Sequence, residues 1–192
     1  MKRGFFSENY SKCWKFGREC KWFFVFAFGL FCLTFLIGFA FPIFFADEII
    51  AFVNELIASL EGMSVVELIG FIFWNNLKAS FFAIILGITL GILPLVMLVT
   101  NGYLLGFVSR EAVAQNGLFV MWRLLPHGIF ELPAVILSIG IGLKIGAGML
   151  GKDVKKKLKY NFKEGLRFFV FVILPLLLIA GIIEGLLIGL MA

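Results

Sequence analysis

Residues 22–45 form an apolar run that contains no charged side chain. A helix needs about 20 such residues to cross the hydrocarbon core of a bilayer, where only helices and closed barrels satisfy their own backbone hydrogen bonds. The run is too long for the apolar part of a cleaved signal peptide, and no small-residue cleavage site closes it, so we expect an uncleaved anchor. Further apolar runs at 79–99, 124–150 and 168–190 predict several membrane-spanning helices.

The composition supports lipid as the main solvent of this fold. Of the 192 residues, 61% are hydrophobic, and the mean hydropathy of +1.05 is far above that of soluble globular domains. We therefore predict an all-α fold: a polytopic membrane helix bundle of about five transmembrane helices, one of them broken or re-entrant, with additional amphipathic interfacial helices. The 25 phenylalanines suit lipid-facing surfaces. We expect the lipid bilayer as a partner and no nucleic acid, although the pI is about 9.2.

The charged residues are segregated along the chain. Most of the 17 lysines and arginines lie in residues 1–21 and 144–167, namely Lys2, Arg3, Lys12, Lys15, Arg18 and Lys21 in the first segment and Lys144, Lys152, Lys155, Lys156, Lys157, Lys159, Lys163 and Arg167 in the second. Residues 47–67 hold acids and only acids as charged groups. By the positive-inside rule we expect a multi-pass protein of the cell membrane with a cytoplasmic N-terminus and an outer C-terminus.

These runs and charges predict a single integral membrane domain over residues 1–192. Its segments are a cytoplasmic basic amphipathic arm (1–21), the first span (22–45), an outer acidic amphipathic segment (46–78), the central spans (79–151), a cytoplasmic basic amphipathic helix (152–167) and the last span (168–190). Within the central spans we expect one span at Ala79–Val99 that reaches the cytoplasm near Asn101. Residues 101–123 then either cross or re-enter the membrane.

Two helices are predicted in the outer segment. The first has its apolar residues at helical spacing, with Asp47 as its N-terminal cap and Gly62 at its end. The second is a short helix that begins at Ser64, where Glu67 completes a capping box.

Glycines at four-residue spacing predict close helix packing. Gly87 and Gly91 form a small face in the expected second span, and Gly181, Gly185 and Gly189 form a ladder in the last one. Such faces favour a homo-oligomer.

The stretch LLPHGIFELPA, residues 124–134, holds the single histidine of the chain. Pro126 suits the first turn of a helix, which would place His127 and Glu131 on one face, with Ser138 continuing the stripe. Pro133 removes a backbone donor and breaks the helix beside that pair.

Polar residues at membrane depth should face protein, because a charge at the bilayer centre costs about 2.5–3.5 kcal/mol on insertion scales. We therefore predict a polar cluster in the bundle interior, made of Asn75, Asn76, Asn101, Arg110, His127, Glu131 and Glu184. Three roles are open for it: structural hydrogen bonding, which we favour, a transport or proton-relay path, and a metal site. His127 and Glu131 are weak metal candidates, because zinc needs three or four ligands and these supply two.

The sequence gives no catalytic set. The three cysteines, Cys13, Cys20 and Cys32, lack the spacing of a zinc motif and should be free thiols. No G-x-S-x-G motif of a serine hydrolase is present. We therefore expect no catalytic residue, no cofactor and no enzyme.

Two segments support a family resemblance. NNLKASFFAIILGITLGILPLVMLVTNGYLLG and LLPHGIFELPAVILSIGIGLKIG, followed by the closing IIEGLLIG, resemble the stage II sporulation protein M family of integral membrane proteins over residues 64–190. The positions that carry it are Asn75, Asn76, Asn101, Gly102, Pro126, His127, Gly128, Glu131 and Glu184. The resemblance implies a non-enzymatic membrane component that holds peptidoglycan-remodelling partners.

Two functional hypotheses follow. The first is a membrane scaffold that assembles with itself and with membrane or envelope-remodelling partners. The alternative is a transporter or channel for an ion or small solute, which would use the polar cluster around His127 and Glu131.

Overall fold

A computed structural model describes the backbone of residues 4–191 and the side chains of this range except 122–127, 130 and 184–191. This part of the chain is helical and contains no strand. Its helices are α1 (Phe5–Ala40), α2 (Ala46–Leu60), α3 (Val65–Ile85), α4 (Ile92–Asn116), α5 (Met121–Gly148), α6 (Val154–Phe168) and α7 (Leu174–Met191). Short 3₁₀ turns occupy Leu86–Ile88 and Leu118–Val120, and a π-helical turn at Phe169–Ile173 joins α6 to α7.

Five helical segments of the described chain are long and apolar enough to cross a membrane. They are Phe5–Ala40, Val65–Ile88, Ile92–Asn116, Glu131–Gly148 and Val154–Ile183. The prediction of an all-α bundle with about five transmembrane helices is therefore confirmed.

Helices α1 and α4 form a closely packed pair. A Cβ built on Gly102 would lie 2.1 Å from Thr34 Oγ1, and one on Gly106 would lie 2.1 Å from the carbonyl oxygen of Phe35. Gly38 is pressed equally closely against the backbone of α4. Because residue numbers rise together on both helices along this contact, the two helices run parallel. The glycines let the two backbones touch, which is how helices associate in lipid.

Helix α5 lies at the centre of the bundle and packs against α1, α3, α4 and α7. Its glycines face three different neighbours. A Cβ on Gly142 would lie 2.2 Å from the carbonyl oxygen of Ala83 in α3, and one on Gly146 would lie 2.2 Å from the amide nitrogen of Gly91. Gly140 is in close contact with the ring of Phe24. Because these three positions of α5 are glycines, the neighbouring spans can approach α5 closely.

The expected single span at Ala79–Val99 is wrong. The chain turns at residues 86–91, where Leu90 and Gly91 have positive φ angles of 56° and 79°. Two spans, α3 and α4, replace the single one, and they point in opposite directions. The hydropathy pattern missed this turn because every residue in it except Thr89 is apolar or glycine.

This turn changes the positions of the neighbouring segments as well. Residues 65–78 belong to a span and not to the outer segment 46–78, and α4 carries Asn101 towards the end of the bundle where α2 lies. Residues 101–116 continue α4 as part of a crossing helix, and α5 returns. The capping box of Ser64 and Glu67 is confirmed, although the helix that it starts is 21 residues long.

Three helix boundaries also differ from the expectation. The arm and the first span are one helix, α1, because no proline or turn residue interrupts it before Phe41. α5 begins at Met121, after a turn at Gly117 with φ 76°, so Pro126 lies inside the helix and does not begin it. α2 is capped at Phe45 and ends at Leu60, and Asp47 lies in its first turn.

The end of α1 is tied to α4 by Tyr103. Its hydroxyl accepts a hydrogen bond from the Phe44 amide at 3.0 Å and lies 3.1 Å from the carbonyl oxygens of Phe41 and Phe44. This contact orients the loop that leads into α2. None of the residues of α2 is buried, so that helix lies on the surface of the bundle.

The packing of α1 on α4 predicts a strong effect of one methyl group. Gly106→Ala should lower the free energy of unfolding by about 1–3 kcal/mol, because the new Cβ overlaps the Phe35 carbonyl and forces the helices apart. Gly29→Ala is the matched control, since its Cβ meets no atom within 4 Å and alanine favours the helix by about 0.5–1 kcal/mol. Denaturation in mixed micelles measures both, and equal stability of the two variants would contradict the contact.

Candidate functional site

Glu131 and Ser138 lie in the interior of the bundle, on the central helix α5. Glu131 is only 4% exposed, and a neighbouring group engages it. Ser138 is fully buried, and its hydroxyl donates to the carbonyl oxygen of Ala134 at 2.8 Å. The side chains of His127 and Pro126 lie outside the described residues. Pro133 is exposed, and α5 continues through it, so the predicted helix break at this position is wrong.

The remaining members of the predicted polar cluster do not form an interior group. Asn75, Asn101 and Arg110 are exposed, which corrects the expectation, and Asn76 is half-buried. The Asn101 amide donates to the carbonyl oxygen of Met97 at 2.7 Å. An amide that bonds to its own helix in this way needs no partner from another helix.

Asn76 bonds in the same way, to the carbonyl oxygen of Ile72 at 3.1 Å. The Arg110 guanidinium lies 6.0 Å from the ring centre of Phe39, near the end of α1. The side chain of Glu184 lies outside the described residues.

The glycines singled out in the sequence have different roles. Gly87 packs on α5, since a Cβ there would lie 2.5 Å from the carbonyl oxygen of Gly142, whereas Gly91 forms the turn between α3 and α4. Gly181 is buried against α3 of the same chain, at ordinary packing distance from Phe73. Gly185 and Gly189 fall outside the described side chains.

The described residues hold no group of three or more potential metal ligands among His, Cys, Asp and Glu. Cys13, Cys20 and Cys32 are free thiols, the first two buried and the third half-buried. The metal hypothesis for His127 and Glu131 stays a prediction.

A polar stripe on α3 was not recognised from the sequence. Trp74, Asn75 and Lys78 share one exposed face of α3, at helical spacing of three and four residues. The Lys78 ammonium lies 5.9 Å from the ring centre of Trp74. We refer to these three residues as the α3 stripe.

An ion-pair network lies where the two basic segments, residues 1–21 and 144–167, meet. Lys144 Nζ lies 3.1 Å from Glu19 Oε2, and the Tyr160 hydroxyl donates to Glu19 Oε1 at 3.0 Å. The same Lys144 ammonium lies 4.3 Å from the ring centre of Phe16. This network joins α1, α5 and α6, so the two basic segments pack against each other.

The family model of stage II sporulation protein M matches residues 24–187. The chain belongs to this family. Two uncharacterised proteins of Methanocaldococcus jannaschii are similar to it: MJ0706, 33% identical over 58% of this chain, and MJ0793, 32% identical over 57%. The aligned parts cover 51% and 65% of those relatives, so the chain spans about half of the first and under two thirds of the second. No solved structure matches the chain.

The matched range of this family member contains two buried hydroxyls that sequence reasoning missed. Ser80 of α3 and Ser109 of α4 are buried, and neither Oγ atom has a hydrogen-bond partner in the described part of the chain. An unpaired hydroxyl in an apolar interior costs about 1–3 kcal/mol. Serine is too common in helices for its sequence position to indicate this.

These hydroxyls predict stabilising substitutions. Ser80→Ala and Ser109→Ala should each raise the free energy of unfolding by about 1 kcal/mol, because each removes an unpaired polar group. Ser138→Ala is the control and should lower it by a similar amount, since that hydroxyl bonds to Ala134. Thermal denaturation in detergent measures the three changes, and a loss of stability in Ser80→Ala and Ser109→Ala would show that the hydroxyls are paired.

Proposed function

We propose that this protein is a non-enzymatic membrane scaffold that assembles with itself through the α3 stripe. The observation that carries the proposal is the exposed position of Asn75 and Lys78 near the middle of a span. Family membership supports a membrane role, and both similar proteins are uncharacterised.

The depth of Lys78 makes its exposure costly in a single copy. It lies about 20 Å along the helix from Val65 and about 15 Å from Ile88, at 1.5 Å per residue. The hydrocarbon core is about 30 Å thick, so the Lys78 backbone lies near its centre. Lysine there costs about 2.5–3.5 kcal/mol on insertion scales, and its nearest aromatic partner, Trp74, is itself exposed. A protein surface that covers the stripe would remove this cost.

A second copy of the chain is the partner whose surface complements the α3 stripe. In a two-fold dimer the same patch occurs on both sides, so the Lys78 ammonium of each copy meets the Asn75 carbonyl oxygen of the other. Asn75 and Lys78 are about 4.5 Å apart along the axis, a separation that their side chains bridge. Exposed Phe71, Trp74 and Phe82 flank the pair and supply contact area.

The interior of the bundle supports a structural role for the core. Apart from Ser138, the buried residues of α5 from Ala134 to Gly146 are apolar residues and glycines that approach neighbouring helices closely. Such a core fixes the arrangement of the spans and leaves the outer faces for assembly. We extend the proposal to membrane or envelope-remodelling partners, which would bind to the assembled scaffold.

We also propose the orientation of the chain. The positive-inside rule places the basic end, with Glu19, Lys144 and Tyr160, at the cytoplasmic face. Five crossings from a cytoplasmic N-terminus would leave the C-terminus outside the cell membrane.

The double variant Asn75→Leu/Lys78→Leu tests the interface. It removes the two Lys78–Asn75 hydrogen bonds between the copies of a two-fold dimer, each worth about 0.6 kcal/mol in a membrane, so the association constant should fall by about eightfold. Single-molecule photobleaching in lipid vesicles measures the oligomer distribution over a range of protein-to-lipid ratios.

Asn101→Leu serves as the control, because it removes an exposed amide that bonds only within α4. It should leave the distribution unchanged. The interface is disproved if the wild-type chain is monomeric in vesicles, or if the double variant assembles as the wild type does. Assembly only in the presence of a co-purified membrane protein would identify that protein, and not a second copy, as the occupant.

Transport is the alternative function, and the burial of Glu131 within a span favours it. It predicts cation or proton flux through proteoliposomes that Glu131→Gln and His127→Ala reduce at least tenfold. Wild-type flux no larger than that of protein-free liposomes would rule out transport.

A further inference from the structure

A groove of about 440 Å³ lies between the first half of α1 and the junction of α6 with α7. Gly17, Phe24 and Phe168 form its floor, and Trp14, Arg18 and Lys21 form its rim. It is separate from the α3 stripe, since no residue of α3 lines it. We refer to it as the basic groove.

The floor of the basic groove is apolar, and it is open because residue 17 is a glycine and has no side chain. A Cβ on Gly17 would lie 3.3 Å from the Phe168 ring, so glycine opens a space that any larger residue would fill. Exposed Tyr10 on α1 and half-buried Val172 beyond α6 line the groove as well. The floor therefore continues into the lipid-facing surface of the bundle.

The rim carries positive charge that no described residue neutralises. The three acids of α1 and α6 are paired with other bases: Glu8 with Lys12, Glu19 with Lys144, and Glu164 with Arg167. Arg18 and Lys21 are exposed, and neither forms an ion pair with a residue that the structure describes. Lys21 contacts only the ring of Trp22, at 5.2 Å.

We propose that the basic groove binds an anionic phospholipid. Its acyl chain lies on the floor, and its phosphate contacts Arg18 and Lys21 on the rim. A guanidinium matches two phosphate oxygens with paired hydrogen bonds, and Trp14 occupies the headgroup level that tryptophans favour. A soluble anion would use the rim alone and leave the apolar floor in water, which is why we choose a lipid.

The rim of the basic groove lies outside the range that the family model matches. Arg18, Lys21, Trp14 and Gly17 precede residue 24, where the match to the family model begins. The lipid site is therefore independent of the scaffold proposal, and either can fail alone.

Native mass spectrometry of the full chain, extracted in mild detergent and titrated with phosphatidylglycerol or phosphatidylcholine, tests the site. We expect phosphatidylglycerol to remain bound and phosphatidylcholine to dissociate. Arg18→Gln/Lys21→Gln should weaken phosphatidylglycerol binding by about 30-fold, because each cation near a membrane surface contributes about a factor of five. Gly17→Leu should weaken it as well, by filling the floor.

The control is Lys155→Gln/Lys156→Gln, which removes the same charge from exposed positions of α6 that do not line the groove. It should bind phosphatidylglycerol as the wild type does. An equal loss of phosphatidylglycerol binding in both double variants would show that binding depends only on net charge, and would overturn the site. Equal retention of phosphatidylcholine, or stabilisation by sn-glycerol 1-phosphate as large as by the lipid, would overturn it too. If a variant fails to fold, circular dichroism shows it, and Arg18→Lys/Lys21→Arg, which should keep binding, decides.

Discussion

Close contact between glycine-bearing backbones is the interaction on which this bundle depends. Lipid tails are as apolar as leucine, so burying apolar side chains provides little drive for helices to associate in a membrane. What remains is van der Waals contact, and it is largest where backbones touch. Gly102 and Gly106 bring α4 onto α1, and Gly142 and Gly146 bring α5 onto α3 and the following turn. A parallel α1–α4 pair requires α4 to start at the end of the bundle where α1 starts, so the chain must turn before it.

That turn explains what the sequence could and could not predict. The all-α class, five spans and the capping box at Ser64 followed from hydropathy and local chemistry. The turn at 86–91 did not, because its polar groups are satisfied locally and need no polar sequence around them. Thr89 Oγ1 donates to the Leu86 carbonyl oxygen at 2.7 Å and accepts from the Leu93 amide at 3.2 Å. Because these groups are paired within the turn, apolar residues can surround it at the end of the bundle where α1 starts.

The candidate site was predictable only in part, for a related reason. The rule that polar residues in lipid face the interior holds for Glu131 and Ser138 on the central helix. It fails for Asn101, whose amide bonds to a carbonyl of its own helix and can therefore face outwards. Sequence periodicity cannot distinguish the two cases, because which face of a helix is inside depends on tertiary contacts such as those of Gly106.

Lys78 differs from Asn101 in a way that makes the α3 stripe important. An ammonium carries a full charge, with three donors and no acceptor, so a hydrogen bond to one carbonyl of its own helix would not offset its transfer into lipid as it does for a neutral amide. Its cost in lipid is therefore removed only by something outside the single copy, by water, or by reaching a headgroup. The same reasoning applies with less force to Arg18 and Lys21, which lie at the basic end of the bundle, where the proposed lipid would supply a phosphate. The cations of this chain thus define two outward-facing surfaces on different helices, and occupation of one leaves the other accessible.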